Sequence, residues 1–465
     1  MDVSLPFQAT NQVASSVRAA ARKFHSGRRD TLLARLPADS TLICIGAPPA
    51  YLQPFRQDGN LWYLSGIENP DAVVILRNYP GRKPYALLLP SEPSSKSEIV
   101  WGEWLDSQRA RLEHAADIVY TQRDFSRCIA RSIEGSRHIF LVHPGQSGSD
   151  LLRNPSNPDL VTRVKQAVRR HRPSARIEDG SRYLHELRLI KTTYETALAE
   201  KAAGITMLGH LEVMSHCRRH FGSKEGRPLY SGELQAILER KWASEGAVAG
   251  YSPIVAPGER SCYIHDYQSC SEIRPGQLLM LDAGARYGNY TADVTRTWPV
   301  SGRFSPEQKL IYQACLNVLR ECERILKPGA TIEELERRCL EALTHELREL
   351  RILRGLPRGL IESNAALPFC PHAVTHFIGL DVHDVNGGRP DDILSRPLQP
   401  GMLLTLEPGI YLHPLMVQTR RLSSMWSGIG VRIEDDYLIT ENGFENLSAA
   451  LPREARELES FLDSH

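Results

Sequence analysis

Apolar and polar positions alternate in short blocks along the first third of the chain. Thr41–Ile45, Ala72–Leu76, Tyr85–Leu89 and Ile139–Val142 are brief runs rich in aliphatic side chains, separated by Pro- and Gly-bearing stretches and helix-like segments. Runs of this length between turn residues predict strands, and their mixture with helical pattern predicts an α/β domain from Thr41 to about Ile177. Arg176-Ile177-Glu178-Asp179-Gly180 is a turn signal. A long helical stretch then runs from Leu187 to about Cys217, with Thr192 or Thr193 as its N-cap. The domain boundary is therefore placed near 185, giving 1–185 and 186–465.

Past the boundary, helical pattern covers Leu187–Arg218, Ser231–Ser244, Pro306–Leu326 and Ile332–Arg351, mixed with apolar runs that end in carboxylates. This half reads as α+β. Pro328-Gly329 stops a helix, and Leu353–Leu367, with Gly355, Pro357 and Gly359 and closed by Pro368, reads as a connecting loop. No repeat of 20–50 residues is present. A smaller echo matters more. Leu278–Asp282 is followed by Ala283-Gly284 and a return strand carrying Asp293, and Leu403–Glu407 is followed by Pro408-Gly409 and a return strand carrying Glu434. Each hairpin brings two acids.

Composition narrows the class. The 465 residues are 42% hydrophobic and 24% charged, which excludes a disordered chain and is too long for one small core. Lys plus Arg (56) nearly cancels Asp plus Glu (55), leaving +1, so no global field draws the protein to nucleic acid or an acidic membrane. No apolar run approaches the ~20 residues of a membrane span. The nine cysteines form no Cys-x-x-Cys pair, which reads as reduced thiols in an intracellular, cytoplasmic setting. Between Val3 and Arg29 there is no acid and five basic residues, and Val13, Val17, Ala20, Ala21 and Phe24 share a helical face. An ordinary first helix is preferred there; a mitochondrial or plastid transit segment is the alternative.

The chemistry lies in the acids. Asp282 closes Leu278-Leu279-Met280-Leu281 and Glu407 closes Leu403-Leu404-Thr405-Leu406, and a carboxylate at the end of a buried strand is costly unless a cation or donor meets it. Gly288–Ala292 forms a turn that folds Asp293 back beside Asp282, and alternation puts Arg432 and Glu434 on one face. Four such acids make a hard oxygen-rich site for Mn, Mg or a similar divalent ion. A nitrogen ligand is available from His372, His376 and His383, spaced along Pro371–Asp384 in strand-like alternation.

Read in order, Leu281-Asp282-Ala283-Gly284, Thr291-Ala292-Asp293-Val294-Thr295-Arg296-Thr297, Gly379-Leu380-Asp381-Val382-His383-Asp384, Leu406-Glu407-Pro408-Gly409-Ile410-Tyr411 and Val431-Arg432-Ile433-Glu434-Asp435-Asp436 resemble the motifs of the pita-bread metallopeptidases related to creatinase, and most closely those of the aminopeptidase P group. Pro54–Gln57 and Asn60–Gly66 resemble the N-terminal domain of the same family. The resemblance implies an α/β N-terminal domain and an α+β pita-bread catalytic domain. It also implies two divalent ions per chain, Mn2+ being the expected metal, with Asp282, Asp293, His376, Glu407 and Glu434 as ligands. Asp293 and Glu434 would bridge the ions, Asp282 would bind one, and His376 with Glu407 the other. A hydroxide held between the ions would attack the scissile carbonyl. Glu407 would also move the proton, His372 and His383 would hydrogen-bond substrate and intermediate, His265 would stand near the site, and Arg432 would orient a bridging carboxylate.

Three departures or ambiguities accompany the resemblance. Ala373 and Thr375 stand between the first two histidines where the family often has Gly, then Ser or Gly. Asn60 stands where some members carry Asp, which removes support for a subunit contact at that position. Tyr411 fits a core aromatic equally well. The implied substrates are peptides with proline second, and the implied assembly is a homo-oligomer, dimer or tetramer. A prolidase acting on Xaa-Pro dipeptides and an organellar aminopeptidase trimming imported proteins are the alternatives, as is a silent interaction protein, which the intact ligand set opposes. A prolidase needs a cation for the free carboxylate, and Arg389 and Arg396 are the candidates.

Overall fold

The computed structural model describes residues 7–50, 54–81, 83–90, 105–145, 158–223, 226–386 and 392–463. These form two compact units, one reaching Arg188 and including Val385 and Asn386, the other made of Leu189–Asp384 and the residues from 392 onward.

In the first unit the apolar runs form a mixed six-stranded sheet. Its strands are β1 (Ser40–Ile45), β2 (Val73–Asn78), β3 (Tyr85–Leu89), β4 (Ile118–Thr121), β5 (His138–Val142) and β6 (Ile177–Asp179), in the spatial order β4-β3-β2-β1-β5-β6. β1 pairs antiparallel with β2 (Ile43 opposite Ile75) and parallel with β5 (Ile43 opposite Leu141). Helix α1 (Phe7–Arg35) precedes the sheet, and α2 (Gly59–Ser65) follows β1. Ile43, Ile45, Ile75 and Leu141 share a core with α3 (Phe125–Ile133) and α4 (Pro158–His171). The helices meet the sheet through Ile129/Ile133 and Leu160/Val164/Val168, the spacing of one helical stripe. Asp58 caps α2 by accepting from the Asn60 and Leu61 amides at 3.0 and 3.2 Å. Asn60 is fully buried and its Oδ1 accepts from Arg188 Nη1 at 2.8 Å, so this position braces the interior of the unit.

The helix expected from Leu187 is in fact two. α5 (Ser181–Leu189) stops, and α6 (Thr193–Gly222) restarts behind a Thr192/Glu195 capping box. The break arises where the Lys191 amide leaves the helical pattern to donate to Gly401 O at 2.7 Å. α7 (Ser231–Ser244), α8 (Pro306–Glu323) and α9 (Ile332–Glu349) follow the apolar periodicity, the last two opened by Ser305/Gln308 and Thr331/Glu334 boxes. The segment read as a loop contains a short helix, α10 (Pro357–Glu362): Pro357 at its first position starts the turn, and no side chain of it is buried, so hydrophobic pattern could not mark it.

Five small sheets complete the unit among the described residues, and three of them carry the acids. β8 (Leu278–Ala283) lies between β7 (Ile254–Pro257) and β9 (Val294–Pro299). β13 (Asp435–Thr440) lies between β10 (Leu403–Leu406) and β14 (Gly443–Asn446). β11 (Gly409–Leu412) pairs with β12 (Ile429–Arg432). A single bridge, Thr295 to Glu434, ties the first group to the end of β12. The Pro371–Asp384 segment is not the strand its alternation suggested, since only Phe377 makes a bridge, to Leu404 of β10. All nine cysteines are free, eight of them buried, with Cys270 exposed. Among the described residues no helix is long and apolar enough to cross a membrane.

Candidate metal centre

β8 and β9 pair so that Asp282 faces Thr295, and Asp293 sits in the turn just before β9 rather than on it. That turn depends on Gly284. A Cβ there would lie 1.6 Å from Ala292 O, so any side chain would push the Asp293 backbone out of place. Glu407 follows the last residue of β10, its amide donating to Val374 O at 2.9 Å, while the Thr405 amide donates to His376 O at 2.9 Å. These two bonds lay the histidine segment along β10. Glu434 lies between β12 and β13. Its amide donates to Thr295 O at 3.1 Å and its Oε2 accepts from Thr295 Oγ1 at 2.6 Å. The four acids predicted from strand ends thus come from two separate sheets and a connecting turn.

His376 Nε2 lies 3.5 Å from Asp293 Oδ2 and 3.4 Å from Glu407 Oε1. Its other nitrogen, Nδ1, is 3.1 Å from Phe377 O, a bond that turns Nε2 toward the acids. Asp293, His376 and Glu434 each offer a ligand atom within 4.8 Å of the others. Burial first, and then neighbouring carboxylates, hold the Glu434 and Asp293 carboxyls above their ordinary range. The same causes, against the opposing charges of His376 and Arg432, push Glu407 up to about 8. Burial works against an imidazolium at His376, but the Asp293 hydrogen bond and the Glu407 charge outweigh it and raise this group to about 9. Carboxylates crowded together with so little compensating charge fit a site for a hard divalent cation.

Arg432 is fully buried. It does not pair with Asp435 or Asp436, the sequence-local partners, nor with a carboxylate expected to bridge. Its Nη2 binds Asp282 Oδ2 and its Nη1 donates to Tyr411 Oη at 2.7 Å. Tyr411 in turn meets His372 Nε2 at 2.9 Å, and His372 Nδ1 lies 2.8 Å from Ala373 O. With Arg432 donating to the phenol oxygen, the phenol donates to Nε2 and Nδ1–H donates to the carbonyl. This set describes a neutral imidazole, in line with a pKa lowered to about 4 by burial and the Arg432 charge. Both nitrogens of His372 have partners within the protein. His383 is exposed, its ring 4.5 Å from that of His376 and perpendicular to it, and burial and the His376 charge lower it to about 4. His265 is exposed and stacks parallel to Tyr267 with ring centres 6.0 Å apart. It lies within electrostatic reach of both His372 and His383.

Two contributors escaped the sequence reading. Tyr251 Oη lies 2.8 Å from Asp282 Oδ1 and also contacts Asp293 Oδ1, its single hydroxyl proton set between the two carboxyls, and Tyr411 belongs to the chain of bonds above, not to the core alone. Nothing in Gly250-Tyr251-Ser252-Pro253 separates Tyr251 from a loop aromatic. For Tyr411, alternation along β11 sets its face but not its partners. Arg396 is half-buried, and Arg389 lies outside the described residues.

Residues 197–441, more than half the chain, match metallopeptidase family M24. The chain belongs to this family. Residues 25–140 match the aminopeptidase P N-terminal domain. The Xaa-Pro aminopeptidase of Escherichia coli (strain K12) is 30% identical over 94% of this chain and 96% of its own length. A protein of Arabidopsis thaliana named intermediate cleaving peptidase 55, mitochondrial, is 32% identical over 94% of this chain and 82% of its own. The solved structure of the Pseudomonas aeruginosa aminopeptidase PepP aligns with a TM-score of 0.84 at 31% identity, covering 95% of this chain and 98% of that one. The α/β N-terminal domain and α+β pita-bread catalytic domain expected from the motifs are those of the family, and this M24 protein is a hydrolase working with divalent metal.

Proposed function

We propose that this M24 metallopeptidase is an Xaa-Pro aminopeptidase that works with two Mn2+ ions, which Asp282, Asp293, His376, Glu407 and Glu434 would hold. The observation that carries the reading is the concentration of these carboxylates around His376, with the Arg432 guanidinium against Asp282. When bound, the ions lower the pKa of water and polarise a carbonyl.

The protein's own groups do the rest. Glu407 would accept the proton of the attacking water at its carboxylate and return it to the leaving proline nitrogen. His383, exposed and neutral at pH 7, donates to the carbonyl oxygen of the residue being cleaved, where negative charge develops. His265, exposed and within electrostatic reach of His383, would steady the peptide. Arg432 fixes Asp282, and through Tyr411 it fixes His372, whose ring lies 3.7 Å from Glu407 Oε2 and limits how that carboxylate turns. The E. coli and P. aeruginosa relatives named as aminopeptidases support removal of one N-terminal residue.

Two measurements test the reading. Elemental analysis of protein dialysed against Mn2+ should give about two ions per chain, chelation should abolish turnover, and Mn2+ should restore it. A panel of Xaa-Pro dipeptides, longer Xaa-Pro peptides and Tyr- or Leu-led peptides without proline should show fastest cleavage of peptides with three or more residues and proline second. Metal stoichiometry near zero sinks the enzyme assignment, while faster cleavage of dipeptides makes the protein a prolidase.

A further inference from the structure

Each of the two exposed imidazoles, His265 and His383, is followed in sequence by an aspartate, and in both cases that aspartate is buried against a cation. Asp384 Oδ2 lies 3.2 Å from Lys191 Nζ, with the two side chains 1% and 0% exposed. Asp266, 2% exposed at its side chain, receives Arg260 through two parallel contacts, Nε to Oδ2 at 2.6 Å and Nη2 to Oδ1. We propose that these two ion pairs are positioning devices: each holds the backbone behind its imidazole so that His383 and His265 face the peptide in a fixed pose. The proposal rests on the reading that these histidines act on substrate.

The packing around Lys191–Asp384 is built for it. The Asp384 amide donates to Phe377 O at 2.8 Å, closing the 377–384 segment into a loop, and the Lys191 amide is fixed on Gly401 O at 2.7 Å at the start of the run into β10. Gly379 has no room for a side chain because a Cβ would lie 2.2 Å from Asp384 Oδ2 and 3.0 Å from Lys191 Cε. The carbonyl of Gly379 accepts from the Thr291 amide at 2.8 Å, two residues before Asp293. The ion pair thus ties the His383 loop to the elements that carry Glu407 and Asp293. Arg260–Asp266 does the same on the other side. It draws the 260–266 loop closed, Arg260 also lies over the Tyr263 ring at 5.5 Å, and Ser261 Oγ accepts from the Gly430 amide at 3.1 Å on the strand that carries Arg432. A buried ion pair is a poor source of net stability, since desolvation offsets the attraction, so a gain in stability does not account for these pairs; fixing one geometry does.

The test is a double-mutant cycle on the metal-loaded protein. Lys191→Met/Asp384→Leu replaces the pair by apolar groups of similar size, and is expected to keep both metal ions and the melting temperature while lowering kcat about tenfold or more, with KM changed about threefold or less. In a His383→Ala background the same double substitution should cost under about twofold more, because the group it positions is gone. A loss that multiplies in full in that background overturns the proposal, since a structural role elsewhere would be additive. Arg260→Gln/Asp266→Asn, paired with His265→Ala, runs the same cycle on a more exposed pair and decides the matter should the buried variant fail to fold. A His383→Ala protein turning over at the wild-type rate would instead remove the catalytic role on which the proposal rests, a failure read from the single variant alone.

Discussion

Arg296 is the sharpest point at which stability and the site can be perturbed together. Its guanidinium is fully buried and all five donors are used: Nε to Pro452 O at 3.1 Å, Nη1 to Thr295 O at 3.0 Å and to Glu434 O at 2.7 Å, and Nη2 to Asp435 Oδ1 at 2.6 Å and to Leu451 O at 3.3 Å. Arg296→Lys keeps the charge but offers at most three donors from one point, so at least two of the five bonds are lost; Thr295 O keeps the Glu434 amide, which leaves Pro452 O, Glu434 O and Leu451 O as the acceptors exposed to the loss. At about 1–3 kcal/mol for each buried group left unsatisfied, the cost is roughly 2–6 kcal/mol. Asp435 keeps Arg453 Nη1 at 3.0 Å and Ser448 Oγ at 2.5 Å, so no carboxylate is stranded and the expected loss sits near 3 kcal/mol. Because one of the five acceptors is the carbonyl of Glu434, metal affinity should fall with stability. Guanidinium unfolding of the Mn2+-loaded protein followed by tryptophan fluorescence measures the first, and competition with a chelator measures the second. A Lys variant within about 1 kcal/mol of the parent, with unchanged metal affinity, would refute the idea that the five-donor geometry matters.

Two further outcomes are expected. Tyr251→Phe removes the hydroxyl that orients both Asp282 and Asp293, and should weaken Mn2+ binding about 10- to 100-fold with little change in folding; equal affinity in the titration would mean the hydroxyl is idle. His25, buried with Nδ1 3.0 Å from Tyr63 O, has its pKa lowered to about 3 by burial above all, so between pH 6.5 and 3 the unfolded chain binds a proton that the folded one refuses. Stability is therefore intact above pH 6.5 and falls with pH, by about 2 kcal/mol at pH 5, and His25→Gln should remove that part of the slope in urea melts at pH 7 and 5.

The sequence was most legible where one residue type does one local job. Thr192, Ser305 and Thr331 start helices with an acid or amide three residues on, and the apolar runs ending in Asp282 and Glu407 name strand and carboxylate at once. It was least legible where a partner comes from far along the chain. Alternation put Arg432 and Glu434 on one face, but the choice of Asp282 over Asp435 follows from β12 crossing beside Thr295 and Thr297, 135 residues or more away. The histidine segment read as a strand because its apolar residues alternate; its single bridge reflects an irregular path that the Asp384 amide closes on Phe377. Pro357–Glu362 was missed because an exposed helix has no buried stripe for the pattern to reveal.

The distribution of cations among the acids says which carboxylates are structural. Asp435 is met by Arg296 and Arg453, Asp384 by Lys191 and Asp266 by Arg260; Asp282 is the exception, a proposed ligand that Arg432 also meets. Asp436 is handled differently. Its Oδ2 accepts from the Asp293 amide at 3.0 Å, its Oδ1 is buried without a partner, and burial and the Asp293 charge push it well above the ordinary range. Among the described residues Asp293, Glu407 and Glu434 share His376 as the base that carries charge, His372 at 3.7 Å from Glu407 Oε2 being held neutral, together with the Thr295 and Tyr251 hydroxyls. Three carboxylates sharing one imidazole in a buried setting cannot all ionise without more positive charge. Loading metal must therefore expel protons from this cluster, and the uptake of Mn2+ by the metal-free protein at pH 7 should release protons in a weakly buffered solution. Asp293→Asn should bind less metal and release fewer protons. Metal uptake without any proton release would mean that the carboxylates were already ionised and that their charge is compensated by groups other than those named here.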